Sequence, residues 1–177
     1  MTGAGEYGKA LFLITEEDGT TEKVVSDIKV ARSVFSDTPE YSKLLDTPAL
    51  SKKERVDLVD KAFSGLDGAL INLIKIVTEK RIAHTFAEIA NAYLALYDES
   101  RGILQVEAVT AIPLTAEQSD KLSKKLGAIT GKRATVKNTV DRSILGGVKL
   151  RYAGTQLDGS VKTRLDKFEA ALRETVI

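Results

Sequence analysis

The chain has 177 residues, of which 43% are hydrophobic and 29% are charged, and its net charge is +1. These proportions are typical of a globular protein and exclude a disordered chain. No apolar run approaches the roughly 20 residues that a transmembrane helix needs, and without cysteine there is no disulfide, thiolate metal site or thiol nucleophile.

The charge is distributed unevenly along the sequence. Residues 1–120 hold 13 basic and 20 acidic residues, whereas residues 121–177 hold 13 basic and only 5 acidic residues. This asymmetry predicts two parts of the chain that face different partners.

The chain opens with Gly3-Ala4-Gly5-Glu6-Tyr7-Gly8, which matches the G-x-G-x-x-G dinucleotide-binding fingerprint letter for letter. That fingerprint needs a strand that leads into its turn, and the two residues before Gly3 cannot form one. We therefore interpret these residues as a flexible glycine-rich terminus and not as a cofactor site. They also lack the basic start and apolar core of a secretory signal, which predicts a cytosolic location.

Six amphipathic helices are predicted over the first hundred residues, because apolar residues recur there at helical spacing between strong breakers. Asp37-Thr38-Pro39 and Asp46-Thr47-Pro48 end the second and third helices, and a capping box from Ser51 to Glu54 begins the fourth. Gly65 ends the fourth helix. The apolar stripes of the first, second, fifth and sixth helices are Tyr7, Ala10, Leu11 and Ile14; Val24, Ile28, Ala31 and Phe35; Leu70, Ile71, Ile74 and Val77; and Ile82, Phe86, Ile89, Tyr93 and Leu96.

The pattern changes after Gly102. A β-branched strand from Ile103 is stopped by Pro113, and a second capping box at Thr115 begins a helix with the stripe Leu122, Leu126 and Ile129. Two further strands, a turn at Ala153-Gly154 and a last helix with Val161, Leu165, Phe168 and Leu172 complete the order βαββα. We therefore expect a mainly α protein, with a six-helix bundle over residues 1–101 and a small α/β domain over residues 102–177.

No catalytic or metal site is predicted, and no cofactor is expected. His84, the only histidine, lies off the apolar stripe and is expected to be partly exposed. The carboxylates occupy polar helix faces and turns, without a converging acid–base pair. The segment from Gly127 to Arg133 resembles a P-loop only faintly, since it has one residue too few and no Ser or Thr for magnesium. Gly131 is better explained as a helix C-terminal glycine.

A basic cluster follows the second capping box, with Asp141 as its only acidic residue. It admits two interpretations: a solvated face or dock for an acidic protein partner, which we favour, and an RNA surface, whose stacking aromatic residues are missing. The cluster consists of Lys121, Lys124, Lys125, Lys132, Arg133, Lys137 and Arg142.

The stretch ILGGVKLRYAGTQLDGSVKTRL, residues 144–165, joins a strand opened by two glycines to a helix opened by an acidic turn. Its glycines allow a close backbone approach, and Asp158 or Ser160 can cap the last helix. The whole stretch resembles the C-terminal motif of the F-type ATP synthase delta subunit family, which includes the oligomycin-sensitivity-conferring protein. The matching residues are Asp141, Gly146, Gly147, Asp158, Gly159, Ser160, Val161, Arg164 and Leu165.

The resemblance extends over nearly the entire chain. The segment from Tyr7 to Phe12 is similar to the family's Tyr-Ala-x-Ala-Leu-Phe, and Pro48 to Arg55 is similar to its Pro-x-Ile-Ser-x-x-x-Lys loop, with Arg55 in place of lysine. Val106 to Ala111 fits the family's Val-Thr-x-Ala strand. Gly8 departs from the pattern by replacing alanine, which is expected to cost the first helix up to about 1 kcal/mol.

The resemblance implies a non-catalytic stator subunit of a proton-transporting ATP synthase, peripheral on the cytoplasmic face of the bacterial inner membrane and without direct membrane insertion. In the family, the helical bundle binds the amphipathic N-terminal segment of an alpha subunit in the catalytic head. The α/β domain grips b-type subunits of the peripheral stalk, so that the protein resists the torque of the rotor during ATP synthesis. The alternative function is an RNA-binding adaptor that uses the basic C-terminal half.

The resemblance also locates the groove for the alpha subunit between the first and fifth helices. The small Ala10 would let a partner helix approach, and Asn72, one turn from Ile76, would fix its register by a hydrogen bond. The alternative is that these residues only pack the bundle. The groove residues implied here are Tyr7, Ala10, Leu11, Ile14, Asn72, Ile76 and Lys80.

Overall fold

The structure is a computed structural model that describes residues 3–152, 154–161 and 163. The chain divides into two compact units, Met1–Tyr97 and Asp98–Ile177. The described part is mainly helical, with seven α-helices and one small four-stranded sheet. None of its helices combines the length and the apolar character needed to cross a membrane.

The helices up to residue 100 follow the breakers in the sequence closely. Pro39 occupies the first turn of the third helix, where its missing N–H removes no hydrogen bond. Ser51 and Glu54 form both halves of the predicted capping box, and Asp67 caps the fifth helix through the Ala69 N–H. The helices are α1 (Gly3–Glu17), α2 (Thr21–Asp37), α3 (Pro39–Asp46), α4 (Lys52–Ala62), α5 (Gly68–Glu79) and α6 (Phe86–Ser100), with a one-turn 3-10 helix at Ala83–Thr85.

Aromatic side chains occupy the middle of the helical core. The ring of Phe35 lies 4.6 Å from that of Phe86 and 5.7 Å from those of Tyr41 and Phe63, measured between centroids. These distances are those at which aromatic pairs contribute beyond the area that they bury. The cluster therefore joins α2, α3, α6 and the end of α4 around one centre.

Two expectations for α1 and α6 are wrong. The glycine-rich start is helical from Gly3, because Ala4 is buried and Gly8 packs against another helix. The sixth helix begins at Phe86 and not at Ile82, because the 3-10 helix comes first.

Helix α1 lies unusually close to α6 at Gly8. A methyl group on Gly8 would lie 2.7 Å from the Ile89 carbonyl oxygen and 2.8 Å from the Ala92 Cβ. Further along, the Phe12 and Tyr93 rings meet edge-on at 5.8 Å. The expectation that Gly8 merely weakens α1 is therefore incomplete, since its lack of a side chain permits this contact.

The described residues of the second unit form a mixed sheet with one crossover helix. Its elements are β1 (Ile103–Thr110), α7 (Ala116–Thr130), β2 (Arg133–Val140), β3 (Val148–Tyr152) and β4 (Thr155–Asp158). The strand order is β2-β1-β3-β4, with β1 parallel to β2 and β3 antiparallel to both β1 and β4. Helix α7 makes the crossover that parallel strands require.

The predicted βαββα order omits one strand. Strand β4 pairs with β3 across a turn that includes Gly154 at φ +77°, while Ala153 lies outside the described residues. The predicted last helix also lies outside the described residues, apart from positions 161 and 163. The predicted stripe of α7 is wrong at one residue, because Ile129 is 81% exposed, whereas Leu126 lies in the core beside Leu104 and Val106 of β1 as predicted.

We predict opposite effects of alanine at two glycines of α1. Gly5→Ala places a methyl group in open space and should stabilise the protein by about 0.5–1 kcal/mol through helix propensity. Gly8→Ala gains the same propensity but overlaps the α6 backbone, so a net loss of about 1–3 kcal/mol is expected. Chemical denaturation of both variants measures the difference, and stabilisation by Gly8→Ala would contradict the close packing.

Candidate partner-binding surfaces

Helices α1 and α5 meet at a surface that carries most of the implied groove residues. The two helices pack together, and Nζ of Lys80 lies 5.5 Å from the centroid of the Tyr7 ring. A cation over an aromatic face is attracted by its quadrupole. Hydrogen bonding to the Tyr7 side chain raises the pKa of Lys80. Tyr7 and Lys80 therefore mark one end of this surface.

The exposed side chains of this surface are largely apolar. Ile14 is 49% exposed and Ile76 is 45% exposed, and Ala10 and Asn72 are exposed beside them. Leu13, which the sequence analysis did not single out, lies three residues after Ala10 on α1, and its side chain is 57% exposed. We call these residues, together with Tyr7 and Lys80, the α1–α5 surface.

Leu11 does not belong to the α1–α5 surface. Its side chain is only 3% exposed and lies in the helical core. The four residues of the predicted α1 stripe span more than one helix face, so Leu11 points inward while Ala10 and Ile14 remain outside. The interpretation of Leu11 as a groove residue is therefore wrong.

His84 holds two chain segments together. Its Nδ1 lies 2.7 Å from Oδ2 of Asp46, and the same carboxylate accepts from the backbone N–H groups of Ala83 and His84. Asp46 ends α3, so this contact fixes the end of α3 to the 3-10 helix. His84 is exposed, as predicted, and the described residues contain no cluster of side chains that could hold a metal ion.

The two glycines of the C-terminal motif allow a close contact between β3 and the chain after β4. A methyl group on Gly147 would lie 2.5 Å from the Gly159 carbonyl oxygen and 2.9 Å from the Ser160 Cα. The Val161 N–H donates to the Gly146 carbonyl, and the Gly159 N–H donates to that of Val148. This part of the motif has a structural role, since these contacts hold the start of β3 and the end of β4 against the turn that follows β4.

Asp158 and Ser160 in the acidic turn accept backbone hydrogen bonds, as the sequence predicts. Oδ1 of Asp158 accepts from the Ser160 N–H at 2.9 Å, and the Ser160 hydroxyl accepts from the Thr163 N–H at 3.3 Å. Asp141 similarly accepts from the Ser143 N–H, while its own N–H donates to the Thr110 carbonyl. Arg164 and Leu165, the last two motif residues, lie outside the described residues.

The P-loop-like segment is the end of α7. Gly131 adopts φ +68° and its N–H donates to the Gly127 carbonyl, which makes it the predicted C-terminal glycine. In the basic cluster, Lys121 and Lys124 form ion pairs with Glu117 and Asp120 one turn earlier on α7. Both pairs are exposed, so each contributes little to stability.

Comparisons with known proteins give a consistent result. The family model described as ATP synthase delta (OSCP) subunit matches residues 4–172. The chain belongs to this family. The ATP synthase subunit delta of Clostridioides difficile is 33% identical over 175 residues, which cover 98% of this chain and 97% of the relative. The ATP synthase subunit delta of Leuconostoc citreum is 30% identical over 170 residues, which cover 96% of this chain and 94% of the relative.

A solved structure agrees in fold. A chain of the Toxoplasma gondii mitochondrial ATP synthase hexamer superposes with a TM-score of 0.75 at 27% identity, covering 97% of this chain and 98% of that chain. As a member of the family, the protein is a non-catalytic subunit and a stator component of ATP synthase, a membrane-associated complex. An RNA-binding adaptor finds no support in these relationships.

We predict that Asp158 makes the second unit sensitive to acid. Hydrogen bonding to Ser160, with a smaller contribution from Lys149 at 3.3 Å, lowers the pKa of Asp158 from 3.8 to about 2. Because the folded-state pKa lies below its ordinary value, this stabilisation is present above about pH 4 and is lost as the pH falls through about 2. Asp158→Asn should lower the melting temperature at pH 7 and flatten its dependence on pH between about 4 and 2.

The matched control is Asp120→Asn, which removes an exposed carboxylate that pairs only with Lys124 within the described part of the chain. It should leave the slope of melting temperature against pH nearly unchanged. An Asp158→Asn slope equal to that of the wild type would show that the cap does not stabilise the charged carboxylate.

Proposed function

We propose that the protein links the catalytic head of ATP synthase to its peripheral stalk and resists rotor torque during proton-driven ATP synthesis. The helices of residues 1–101 would form the family's six-helix bundle and bind the amphipathic N-terminal helix of an alpha subunit. Residues 102–177 would bind b-type stalk subunits. The separate core of each unit supports this division. The charges agree with it, since residues 1–101 hold 13 basic and 17 acidic residues and residues 102–177 hold 13 basic and 8 acidic residues.

The α1–α5 surface carries the proposal for the head. Leu13, Ile14 and Ile76 leave about half of their side chains in water, and covering them would contribute roughly 1 kcal/mol each. The apolar face of an amphipathic helix has the width and periodicity to cover such a surface. Surface patches of this kind are typical of protein–protein contacts.

The remaining side chains of the α1–α5 surface would fix the position, register and orientation of the partner helix. Ala10 is exposed and small, so a partner helix can approach the α1 backbone closely there. The Asn72 amide can both donate and accept, which suits a register-setting hydrogen bond. Lys80, held over Tyr7, places a positive charge at one end of the surface. A carboxylate or a helix C-terminus of the partner would be favoured at that end.

The expected location is peripheral, on the cytoplasmic face of the bacterial inner membrane. The similarity to subunits of bacterial ATP synthases over nearly the whole chain supports this location. No helix in the described residues could span a membrane, so the attachment would be made through the other subunits.

We predict that Ala10→Asp separates binding from folding. Because Ala10 is exposed, the new carboxylate remains solvated in the free protein, and the melting temperature should change little. On association the same charge would be buried without a partner, so affinity for a peptide of the alpha N-terminal segment should fall at least about tenfold. Calorimetry with the peptide and thermal unfolding measure the two effects.

Ala95→Asp is the matched control, since it places the same charge on an exposed position of α6 outside the α1–α5 surface. Its peptide affinity should equal that of the wild type. An unchanged affinity of the Ala10→Asp variant would remove the α1–α5 surface from the proposal.

A further inference from the structure

An open groove with a volume of about 700 Å³ runs between α7 and β2 in the second unit. One side of the groove is a single face of α7, where Ser119, Ser123 and Gly127 follow one another at intervals of four residues. The other side is formed by the consecutive residues 132–136. Successive residues of a strand direct their side chains to opposite faces of the sheet. Since residues 132–136 all line the groove, the groove runs along the edge of β2 and not over one face of the sheet.

Strand β2 is an edge strand of the sheet formed by the described residues. The Arg133 N–H donates to the Gly102 carbonyl on the β1 side, so the odd-numbered residues of β2 direct their backbone groups toward β1. The even-numbered residues, Ala134, Val136 and Asn138, direct theirs outward along the groove. The Ser123 hydroxyl confirms this direction by donating to the Ala134 carbonyl.

The rim of the groove is basic. Lys124 already pairs with Asp120, but the side chains of Lys132 and Arg133 have no acidic partner within residues 3–152, 154–161 and 163. Asp120, already neutralised in this way, is the only acidic residue among the lining residues. The occupant of the groove is therefore expected to carry negative charge.

We propose that the α7–β2 groove binds an extended acidic segment of a protein partner, which adds to β2 as a further strand. The inference deepens the proposed stalk-binding role and rests on it for the source of the segment, which would be the peripheral stalk. An extended chain supplies N–H and C=O groups to Val136 and Asn138 along the edge. Carboxylates on such a chain would lie beside Lys132 and Arg133.

Other occupants fit the groove less well. A helix has its own backbone groups paired internally and would leave the outward groups of β2 without partners. A second copy of the chain would bring two basic rims together, which like-charge repulsion opposes. Single-stranded RNA would need aromatic side chains for base stacking, and the groove is lined by none.

Amide hydrogen exchange of the full-length protein tests the mode of binding. The probe is a blocked eight-residue peptide in which Glu and Val alternate, and its control has the same charge but two central prolines that cannot pair with an edge. The first peptide should slow exchange at Val136 and Asn138 at least about tenfold and leave Thr135 and Lys137 unchanged. No slowing, equal slowing along β2, or equal slowing by the proline peptide would overturn strand addition.

Charge reversal tests whether the basic side chains at the rim of the groove attract the acidic peptide. The double variant Lys132→Glu/Arg133→Glu should weaken binding of the alternating peptide at least about tenfold. Lys125→Glu/Arg142→Glu changes the net charge equally at exposed basic positions that do not line the groove. That control should bind the peptide with nearly wild-type affinity. If both double variants weaken binding equally, the charges act only by long-range attraction, and the groove is not the binding site.

Capture of stalk subunits from membranes separates the inference from the proposed function. The wild-type protein and the Lys125/Arg142 control should recover b-type subunits, and the Lys132/Arg133 variant should not. If the wild type recovers none, the stalk-binding role fails, while the exchange experiment still decides the groove. If the Lys132/Arg133 variant recovers them as well as the wild type, the groove is not the stalk site and the proposed function stands.

Discussion

The close approach of α1 to α6 at Gly8 determines which side of α1 is available to a partner. Once the Gly8 backbone rests against the Ile89 carbonyl, Phe12 and Thr15 must also turn toward α6, where Thr15 and Tyr93 share a hydrogen bond of 3.0 Å. Helical periodicity then leaves Ala10, Leu13 and Ile14 facing away from this contact. The apolar patch beside α5 is thus a consequence of how α1 is anchored.

The second unit uses glycine in the same way at a different place. Gly147 permits contact with the backbone at Gly159 and Ser160, and this contact fixes where the chain goes after β4. The charged carboxylate of Asp158 is held in place by the same turn, next to Lys149. The motif that resembles the family therefore specifies geometry and not chemistry, which agrees with a non-catalytic subunit.

The sequence predicted features that depend on local interactions and missed those that depend on distant ones. The breaks at Pro39 and Pro48 and the two capping boxes are set by neighbouring residues, so they were predicted closely. Strand β4 was missed because the segment TQLD has little β-branched character and is a strand only through its pairing with β3. The burial of Leu11 and the exposure of Leu13 and Ile129 likewise depend on which neighbours cover each helix face. An apolar stripe cannot show this alone.

Under the proposed function, each unit must pass a lateral load from its partner into its own core. Helix α1 suits this requirement because three of its residues, Gly8, Phe12 and Thr15, contact α6 at or next to Tyr93. A pull on the α1–α5 surface is then opposed by packing at several points and not by one contact.

In the second unit, β2 pairs with β1 over eight residue pairs, from Ile103 opposite Arg133 to Thr110 opposite Val140. A segment added along the outer edge of β2 would load these hydrogen bonds together, in shear, so that no single bond carries the load. Both proposed partner surfaces therefore lie on elements that several internal contacts hold in place, as the proposed torque-resisting role requires.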